Sequence, residues 1–179
     1  SEKLIAKETE VLQQIKGKFD TFKIPQVFSV SNLNECVTTN EDLKSKARSN
    51  DLLKPHFDAL NEMLIKTADL KKVEACSVYQ NGKNNIAFIE AHAKTPRHDR
   101  MVRLLKGLIE QLNPEDNIVT SMAHGDFTPW NMFVGERKLY VYDWELSREN
   151  FSPLFDLFHF HLQTGILVEK VAFSVILNK

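Results

Sequence analysis

Hydrophobic residues near the start of the chain recur with the spacing of a helix. The pattern predicts an amphipathic helix over residues 1–16, with an apolar stripe made of Leu4, Ile5, Val11, Leu12 and Ile15. Glu8 falls inside this stripe on a helical wheel. An inward carboxylate is unfavourable unless a cation or hydrogen bonds meet it, so Glu8 is a candidate for a specific interaction.

Short runs rich in β-branched and aromatic residues predict strands. The first two candidates span residues 24–30 and 35–38. Residues 132–134 and 139–142 are predicted to pair as a hairpin across a turn at 135–138, which contains a glycine.

Three further helices are predicted in the middle and later parts of the chain. The first begins near Pro55, because proline suits the first helical turn. The second covers residues 99–112, where Asn113-Pro114 ends it, and the third begins at Ser152-Pro153. Their predicted apolar faces are, in chain order, Phe57, Leu60, Met63 and Leu64; Met101, Leu104, Leu105, Leu108 and Leu112; and Leu154, Leu157, Phe158, His161 and Leu162.

Two regions give less regular patterns. Residues 68–96 have no clear period, and Asn81-Gly82 predicts a turn inside them. The chain ends within another helical pattern, formed by Val168, Val171, Ala172, Val175 and Ile176. Because domains usually have looser ends, we expect further sequence on both sides of this chain.

Composition narrows the class of protein. The 179 residues are 42% hydrophobic and 26% charged, which favours one packed domain over a disordered chain. A net charge of -1 gives no basic excess for nucleic acid or an anionic membrane, and no apolar run is long enough to span a bilayer. Cys36 and Cys76 form no C-x-x-C pair, and no signal peptide opens the chain, so the sequence predicts a cytoplasmic protein.

The candidate chemistry is concentrated between residues 123 and 147. Asp126 is followed five positions later by Asn131, and Asp143 comes directly after the predicted hairpin. Phosphoryl transfer needs a carboxylate that accepts the proton of the attacking hydroxyl, and oxygen ligands that hold Mg²⁺ on the nucleotide phosphates. A tight hairpin would bring these three side chains to one end of the structure.

The histidines outside this region favour packing roles. His159 and His161 form an H-x-H pattern, but on a helix they diverge by about 200°, so they do not chelate one metal ion together. His56 lies on an apolar stripe and is predicted to be a satisfied core histidine. Trp130 and Trp144 are predicted to pack beside the catalytic groups.

Taken together, these motifs resemble the aminoglycoside phosphotransferase and choline kinase family, small-molecule relatives of the protein kinases. The resemblance is carried by His124-Gly-Asp126-Phe-Thr-Pro-Trp-Asn131, Asp143-Trp-Glu145, Asp156-Leu-Phe-His-Phe, Lys7-Glu8-Thr-Glu-Val-Leu and Ile24-Pro-Gln-Val-Phe. It implies an α+β, protein-kinase-like fold that is mostly the helical C-terminal lobe. Residues 1–38 would be a remnant of the nucleotide lobe, and 39–179 the helical lobe with the catalytic loop and metal-binding hairpin. The first strands, with their lysine and glycine-rich loop, and the last helices of the family would be missing.

The resemblance also implies roles for single residues of the loop. Asp126 would be the catalytic base or would orient the substrate hydroxyl. His124 would brace the catalytic loop rather than react. Asp156 would accept hydrogen bonds from the loop backbone, although a purely structural role at the start of its helix remains an equal alternative.

Other residues would bind the nucleotide and its metal. The resemblance implies that Asn131 and Asp143 are Mg²⁺ ligands, and that Glu8 pairs with a phosphate-binding lysine. For Glu145, a second metal or water ligand and a surface carboxylate are both open.

The implied function is Mg²⁺-dependent transfer of the γ-phosphate of ATP or GTP to a hydroxyl of a small molecule, such as a sugar, an aminoglycoside or an amino alcohol. The alternative is a catalytically weak, kinase-like scaffold that binds nucleotide. The expected partners are the nucleotide and its acceptor, without nucleic acid or membrane, and the oligomeric state is open.

Overall fold

The computed structural model describes residues 2–30, 35–39, 47–92, 95–136 and 138–178, which form a mixed α+β structure. Its helices are α1 (Glu2–Ile15), α2 (Lys54–Thr67), α3 (Ser77–His92), α4 (Pro96–Ile109), α5 (Phe155–Gln163) and α6 (Phe173–Ile176). Its strands are β1 (Phe22–Lys23), β2 (Gln26–Val30), β3 (Glu35–Thr39), β4 (Asp69–Lys72), β5 (Asn117–Ala123), β6 (Met132–Val134), β7 (Leu139–Val141) and β8 (Arg148–Phe151).

Two of the small sheets contain the strands that the sequence predicts. β2 and β3 pair antiparallel, with Gln26 opposite Thr39. β6 and β7 form the predicted hairpin, and β1 adds to it in parallel with Phe22 opposite Leu139. The hairpin prediction is therefore confirmed, and the parallel strand β1 is an addition that local pattern did not indicate.

A third sheet, in the order β4-β5-β8, was not predicted from the sequence. β4 pairs antiparallel with β5, and Asp69 lies opposite Thr120. The second half of β5 is buried, and its last residue, Ala123, leads directly into the loop that carries Asp126. This sheet fixes where the candidate catalytic loop begins.

The main core joins α1, α2 and the β6–β7 hairpin beneath that loop. Its fully buried centre is formed by large side chains, namely Leu12, Phe127, Met132, Leu139, Trp144 and Phe160. Val11 and Ile15 confirm the predicted inner face of α1, whereas the side chains of Leu4 and Ile5 lie outside the described part of the chain. A separate small cluster forms around Val73, Cys76 and Tyr79.

The predicted inner face of α2 is largely confirmed, because Met63 is buried and Leu60 packs against the core, although Phe57 is exposed. The predicted faces of α4 and α5 are wrong, although both helices are present. On α4, Leu104 and Leu108 are 62% and 61% exposed, and Val102 is buried instead. On the predicted face of α5, Leu154 and Phe158 lie at the surface, and Phe160 is buried instead. Each helix carries apolar residues over a broad arc, and its neighbours cover a different part of that arc from the one predicted. Even so, no described helix is both long and apolar enough to cross a membrane.

The predicted turn at Asn81-Gly82 is also wrong, because both residues lie inside α3. A Cβ atom added at Gly82 would come within 2.9 Å of Ile109 Cδ1 on α4. The glycine therefore permits close packing of α3 against α4. Close packing, rather than a turn, explains the glycine at this position.

The predicted C-terminal helix is broken into two short pieces. A π-helical segment covers Thr164–Val168, and α6 begins only at Phe173. Between them Lys170 has a left-handed backbone with φ of 55°, which ends the helical path.

His56 only partly fits its prediction as a satisfied core histidine. It is fully buried, and its Nδ1 accepts a hydrogen bond from the Leu53 amide at 3.0 Å. Its Nε2, however, has no hydrogen-bond partner among the described residues. The ring meets Phe127 and Phe160 edge-on, so aromatic packing surrounds the unpaired nitrogen.

Candidate functional site

Asp156 at the start of α5 holds the backbone of the loop that follows β5. Its Oδ2 accepts a hydrogen bond from the His124 amide at 2.7 Å, and its Oδ1 accepts one from the Gly125 amide at 3.0 Å. These bonds confirm the contact that the resemblance implied for Asp156. Burial raises the pKa of the Asp156 carboxyl, while the hydrogen bonds from the two amides act in the opposite direction.

Gly125 is the tightest point of this loop. Its φ is +87°, a region that side chains with a Cβ rarely adopt. A Cβ added there would lie 2.3 Å from the carbonyl oxygen of Leu146. The loop therefore passes directly against the turn after Asp143, and only glycine permits this approach.

His124 lies fully buried and connects the loop to the end of the hairpin. Its Nε2 lies 2.8 Å from the carbonyl oxygen of Tyr142, and its Nδ1 accepts a hydrogen bond from the Asp126 amide at 3.2 Å. These partners require a proton on Nε2 and none on Nδ1, which is the neutral ring. Burial lowers the pKa of His124, which also favours the neutral form.

Asp126 has a defined side-chain position with a partner on each carboxylate oxygen. Asn131 Nδ2 donates to Oδ2 at 2.8 Å and to the Asp126 carbonyl oxygen at 3.1 Å. His159 Nε2 lies 3.0 Å from Oδ1. The Asp126 side chain remains 25% exposed, so the carboxylate is both held in place and open to a ligand.

The hairpin returns Asp143 to the same end of the structure as Asn131. The Tyr142 amide donates to the Asn131 carbonyl oxygen at 2.9 Å, which joins the two segments one residue before Asp143. Asp143 has a left-handed backbone (φ 64°, ψ 61°) and an exposed position. The next residue, Trp144, is fully buried and anchors the turn through Nε1–H to the Val141 carbonyl oxygen.

Glu8 reaches this turn from α1. Its Oε1 accepts a hydrogen bond from the Trp144 amide at 3.2 Å. Burial raises the pKa of the Glu8 carboxyl and the nearby Asp143 and Glu145 charges raise it further, while the Trp144 amide lowers it. Glu145 lies half-buried on the same turn. Three carboxylates thus lie near one another, with Lys7 close to Glu145, and a further cation would relieve their mutual repulsion.

The described residues contain no group of three or more histidine, cysteine, aspartate or glutamate side chains arranged to hold a metal by themselves. The available oxygen donors are nevertheless of the kind that Mg²⁺ prefers. Asn131 uses Nδ2 toward Asp126, which leaves its Oδ1 as an acceptor, and Asp143 contributes an exposed carboxylate. Such a pair suits Mg²⁺ that receives its remaining ligands from phosphate and water.

Two cavities adjoin these segments. One of about 570 Å³ lies between α1 and β1 and reaches Tyr142. Another of about 380 Å³ is lined in part by Gly125, Arg148 and Phe155.

Sequence reasoning missed one member of this arrangement, His159. We predicted a packing role for it, and its ring does stack on Phe155, but the structure also places its Nε2 3.0 Å from Oδ1 of Asp126. The available signal was its spacing from Asp156: residues three apart share a helix face, so a helix that holds the loop through Asp156 also presents His159 to it.

No protein-family model matches the chain, and no curated protein is significantly similar to it. The family resemblance therefore depends on the motifs themselves and on the contacts between them. Of the residues that the motifs singled out, Asp126 and Asn131 are in direct contact, and Glu8 contacts the residue that follows Asp143.

Proposed function

We propose that this chain is the catalytic part of a small-molecule phosphotransferase with a protein-kinase-like fold. It would move the γ-phosphate of ATP or GTP to a hydroxyl of a sugar, an aminoglycoside or an amino alcohol. The observation that carries the proposal is the held and accessible carboxylate of Asp126, joined through Asn131 to the hairpin that ends at Asp143. A solvated loop without function does not need a partner on each oxygen of an accessible aspartate.

Asp126 is assigned to the acceptor hydroxyl. A carboxylate oxygen offers two lone-pair directions, so the single contacts to Oδ1 and Oδ2 leave one direction on each oxygen. A hydroxyl that donates its hydrogen to one of these positions has its oxygen lone pairs directed away from Asp126, where they can attack phosphorus. Asp126 thereby orients the nucleophile and accepts its proton as the new bond to the γ-phosphorus forms and the bond from that phosphorus to the β–γ bridging oxygen breaks, which releases the nucleoside diphosphate.

Asn131 and Asp143 are assigned to Mg²⁺. When bound, this ion neutralises charge on the nucleotide phosphates. Asn131 offers Oδ1 while its Nδ2 remains on Asp126, so one side chain connects the metal site to the catalytic carboxylate. Glu8 and Glu145 add negative charge nearby, which favours a bound cation.

The kinase-like fold is supported by contacts between distant motifs. Glu8 on α1 meets Trp144, and Asp156 on α5 holds the loop at His124. The Asp156 contact agrees with the role that the resemblance implies for the helix after the hairpin. The Glu8 contact is to a backbone amide, and the lysine partner that the resemblance implies for Glu8 stays a prediction. We accordingly assign residues 1–38 to the nucleotide lobe and 39–179 to the helical lobe, and place the reaction in the cytoplasm, where nucleotide donors are abundant.

The metal site is tested by calorimetric titration of ATP and GTP with and without Mg²⁺. We expect Mg²⁺-dependent binding that Asp143→Ala abolishes. Asp58→Asn is the matched control, because Asp58 lies in an exposed ion pair with Lys54 on α2. Binding that is unaffected by both Mg²⁺ and Asp143→Ala would contradict the metal assignment.

The reaction is tested by phosphate transfer to a panel of sugars, aminoglycosides and amino alcohols. Asp126→Ala should lower turnover by about 100-fold or more while nucleotide affinity changes little, because Asp126 acts on the acceptor. Near-normal turnover by Asp126→Ala would show that the catalytic assignment is wrong. Metal-dependent nucleotide binding without phosphorylation of any acceptor would favour the scaffold alternative.

A further inference from the structure

His159 lies on the face of α5 that contacts the catalytic loop. Asp156 and His159 are separated by three positions, so their side chains project from the same side of this helix. Asp156 binds the loop backbone at His124 and Gly125, and His159 binds the side chain of Asp126. One helix face therefore fixes both the path of the loop and the direction of its carboxylate.

The His159 ring has a defined orientation. It stacks on Phe155, with ring centroids 5.5 Å apart and planes 21° from parallel. Phe155 in turn meets Phe151 at the end of β8, with centroids 4.5 Å apart in an edge-to-face arrangement. Packing against the β4-β5-β8 sheet thus directs Nε2 toward Asp126, while the His159 side chain remains 18% exposed.

The contact between His159 and Asp126 restricts the terminal side-chain torsion of Asp126. The terminal torsion of aspartate has a broad distribution, so a single hydrogen bond leaves the carboxylate plane poorly defined. Asn131 holds Oδ2, and an Nε2–H of His159 that donates to Oδ1 fixes the second oxygen. The remaining acceptor directions of Asp126 then point to fixed places in the site.

We propose that His159 is a positioning residue for phosphate transfer: its Nε2–H holds Oδ1 of Asp126 so that the carboxylate meets the acceptor hydroxyl in the reactive orientation. The inference rests on the proposed function, because it assigns His159 a role through Asp126. It extends that function by naming a residue outside the loop and the hairpin. His161, two positions later on the same helix, is exposed and provides a natural comparison.

The test compares His159→Phe, His159→Gln and His161→Phe with the wild-type protein that carries this sequence. Phenylalanine retains a ring to stack on Phe155 but has no donor, whereas glutamine retains an N–H near the position of Nε2. We expect His159→Phe to lower kcat by about 10- to 100-fold, the range for a misplaced catalytic group. The nucleotide Kd, the acceptor KM and the thermal midpoint should change little, and His159→Gln should recover most of the lost kcat.

His161→Phe should leave kcat within about twofold of wild type, because surface substitutions away from a site have small effects. Normal kcat in His159→Phe, or an equal loss in His159→Phe and His159→Gln, would overturn the inference. Asp126→Ala is measured in parallel. If Asp126→Ala is fully active, the proposed function fails; if only Asp126→Ala is impaired, the function stands and the role of His159 fails.

A spectroscopic readout tests the contact without turnover. In a ¹⁵N spectrum of the histidine side chains, the His159 Nε2 resonance should be that of a protonated nitrogen and should move in Asp126→Asn. The His161 signals should not move, because that ring is directed elsewhere. An unchanged His159 signal would show that the two side chains are not hydrogen-bonded in solution.

Discussion

Glu62 on α2 is the most strongly bound carboxylate outside the candidate site. Its oxygens accept hydrogen bonds from the amides of Asp20 and Thr21 at 2.8–3.0 Å and from the Thr21 hydroxyl at 2.6 Å. Lys66 approaches Oε1 to 2.7 Å, and Glu62 is only 8% exposed. This residue ties the turn after α1 to α2, and thereby supports the helix that carries Glu8.

The contribution of Glu62 to the free energy of unfolding follows from the pKa of its carboxyl. Burial alone would raise it, but the hydrogen bonds from Lys66, Thr21 and Asp20 outweigh burial and lower the pKa of Glu62 from 4.5 to about 2. Each pKa unit corresponds to about 1.4 kcal/mol, which gives about 3 kcal/mol. Because the Lys66 side chain is about one-third exposed and its contribution is screened, we expect Glu62→Gln to lower the free energy of unfolding by about 2–3 kcal/mol at pH 7.

The pH dependence has a definite sign. A carboxyl whose pKa is lower in the folded state stabilises the fold above its unfolded pKa, near 4.5, and this stability is lost as pH falls toward 2. The difference between wild type and Glu62→Gln should therefore be constant from pH 7 to about pH 5 and shrink between pH 4.5 and 2. Urea unfolding, followed by the fluorescence of the buried Trp144, measures this difference at each pH.

Asp58→Asn on the same helix is the control for a general loss of negative charge. The Asp58 side chain is 41% exposed and pairs only with the exposed Lys54 among its described ion pairs, so this change should stay within about 0.5 kcal/mol. The reasoning would be refuted by a Glu62→Gln effect as small as that of the control. It would also be refuted by an effect of equal size at pH 7 and pH 3, because the loss would then not depend on the charge.

Two further comparisons test the loop and the helix face in thermal unfolding. Gly125→Ala should destabilise the protein by about 2–3 kcal/mol and impair phosphate transfer, because φ is +87° and the new Cβ would meet Leu146. Gly17→Ala is the control: its φ is +69° but the new Cβ would lie in open space, so it should cost about 1 kcal/mol. Equal effects would contradict the close approach. Val102→Ala should cost about 1–2 kcal/mol and Leu108→Gln less than about 0.5 kcal/mol, since only Val102 is buried. A larger loss in Leu108→Gln than in Val102→Ala would show that α4 packs through the face predicted from the sequence.

Local spacing was informative where the interacting groups are close in sequence. Asp126 and Asn131 lie in one short loop, and the hairpin after them follows from two strand-forming runs around a glycine turn. Four helices were also found, because apolar periodicity marks α1, α2, α4 and α5 locally and α2 begins just before Pro55. The helix α3 was missed, because Asn81-Gly82 predicted a turn inside it. The backbone geometry of a helix or strand fixes which of its residues share a face.

The local pattern did not indicate which side of each helix would pack against a neighbouring element. α4 presents Leu104 and Leu108 outward and packs through Val102, although all three belong to one broad apolar arc. Periodicity sets the arc, whereas the position of α3, with Gly82 in contact distance of Ile109, sets the buried part. The same limitation led to the wrong face on α5, where burial belongs to Asp156 and Phe160.

The sequence by itself therefore determined the β6–β7 hairpin, the presence of α1 and α5, and the chemical identity of the candidate residues Asp126, Asn131 and Asp143. The tertiary structure alone decided that β4 pairs with β5 across almost fifty residues and that His159 meets Asp126 from a different element. Hydrogen bonds within a loop or hairpin depend on neighbours along the chain. The contact between His159 and Asp126 depends on where α5 packs, and the free energy that places α5 comes from burial distributed over the whole core.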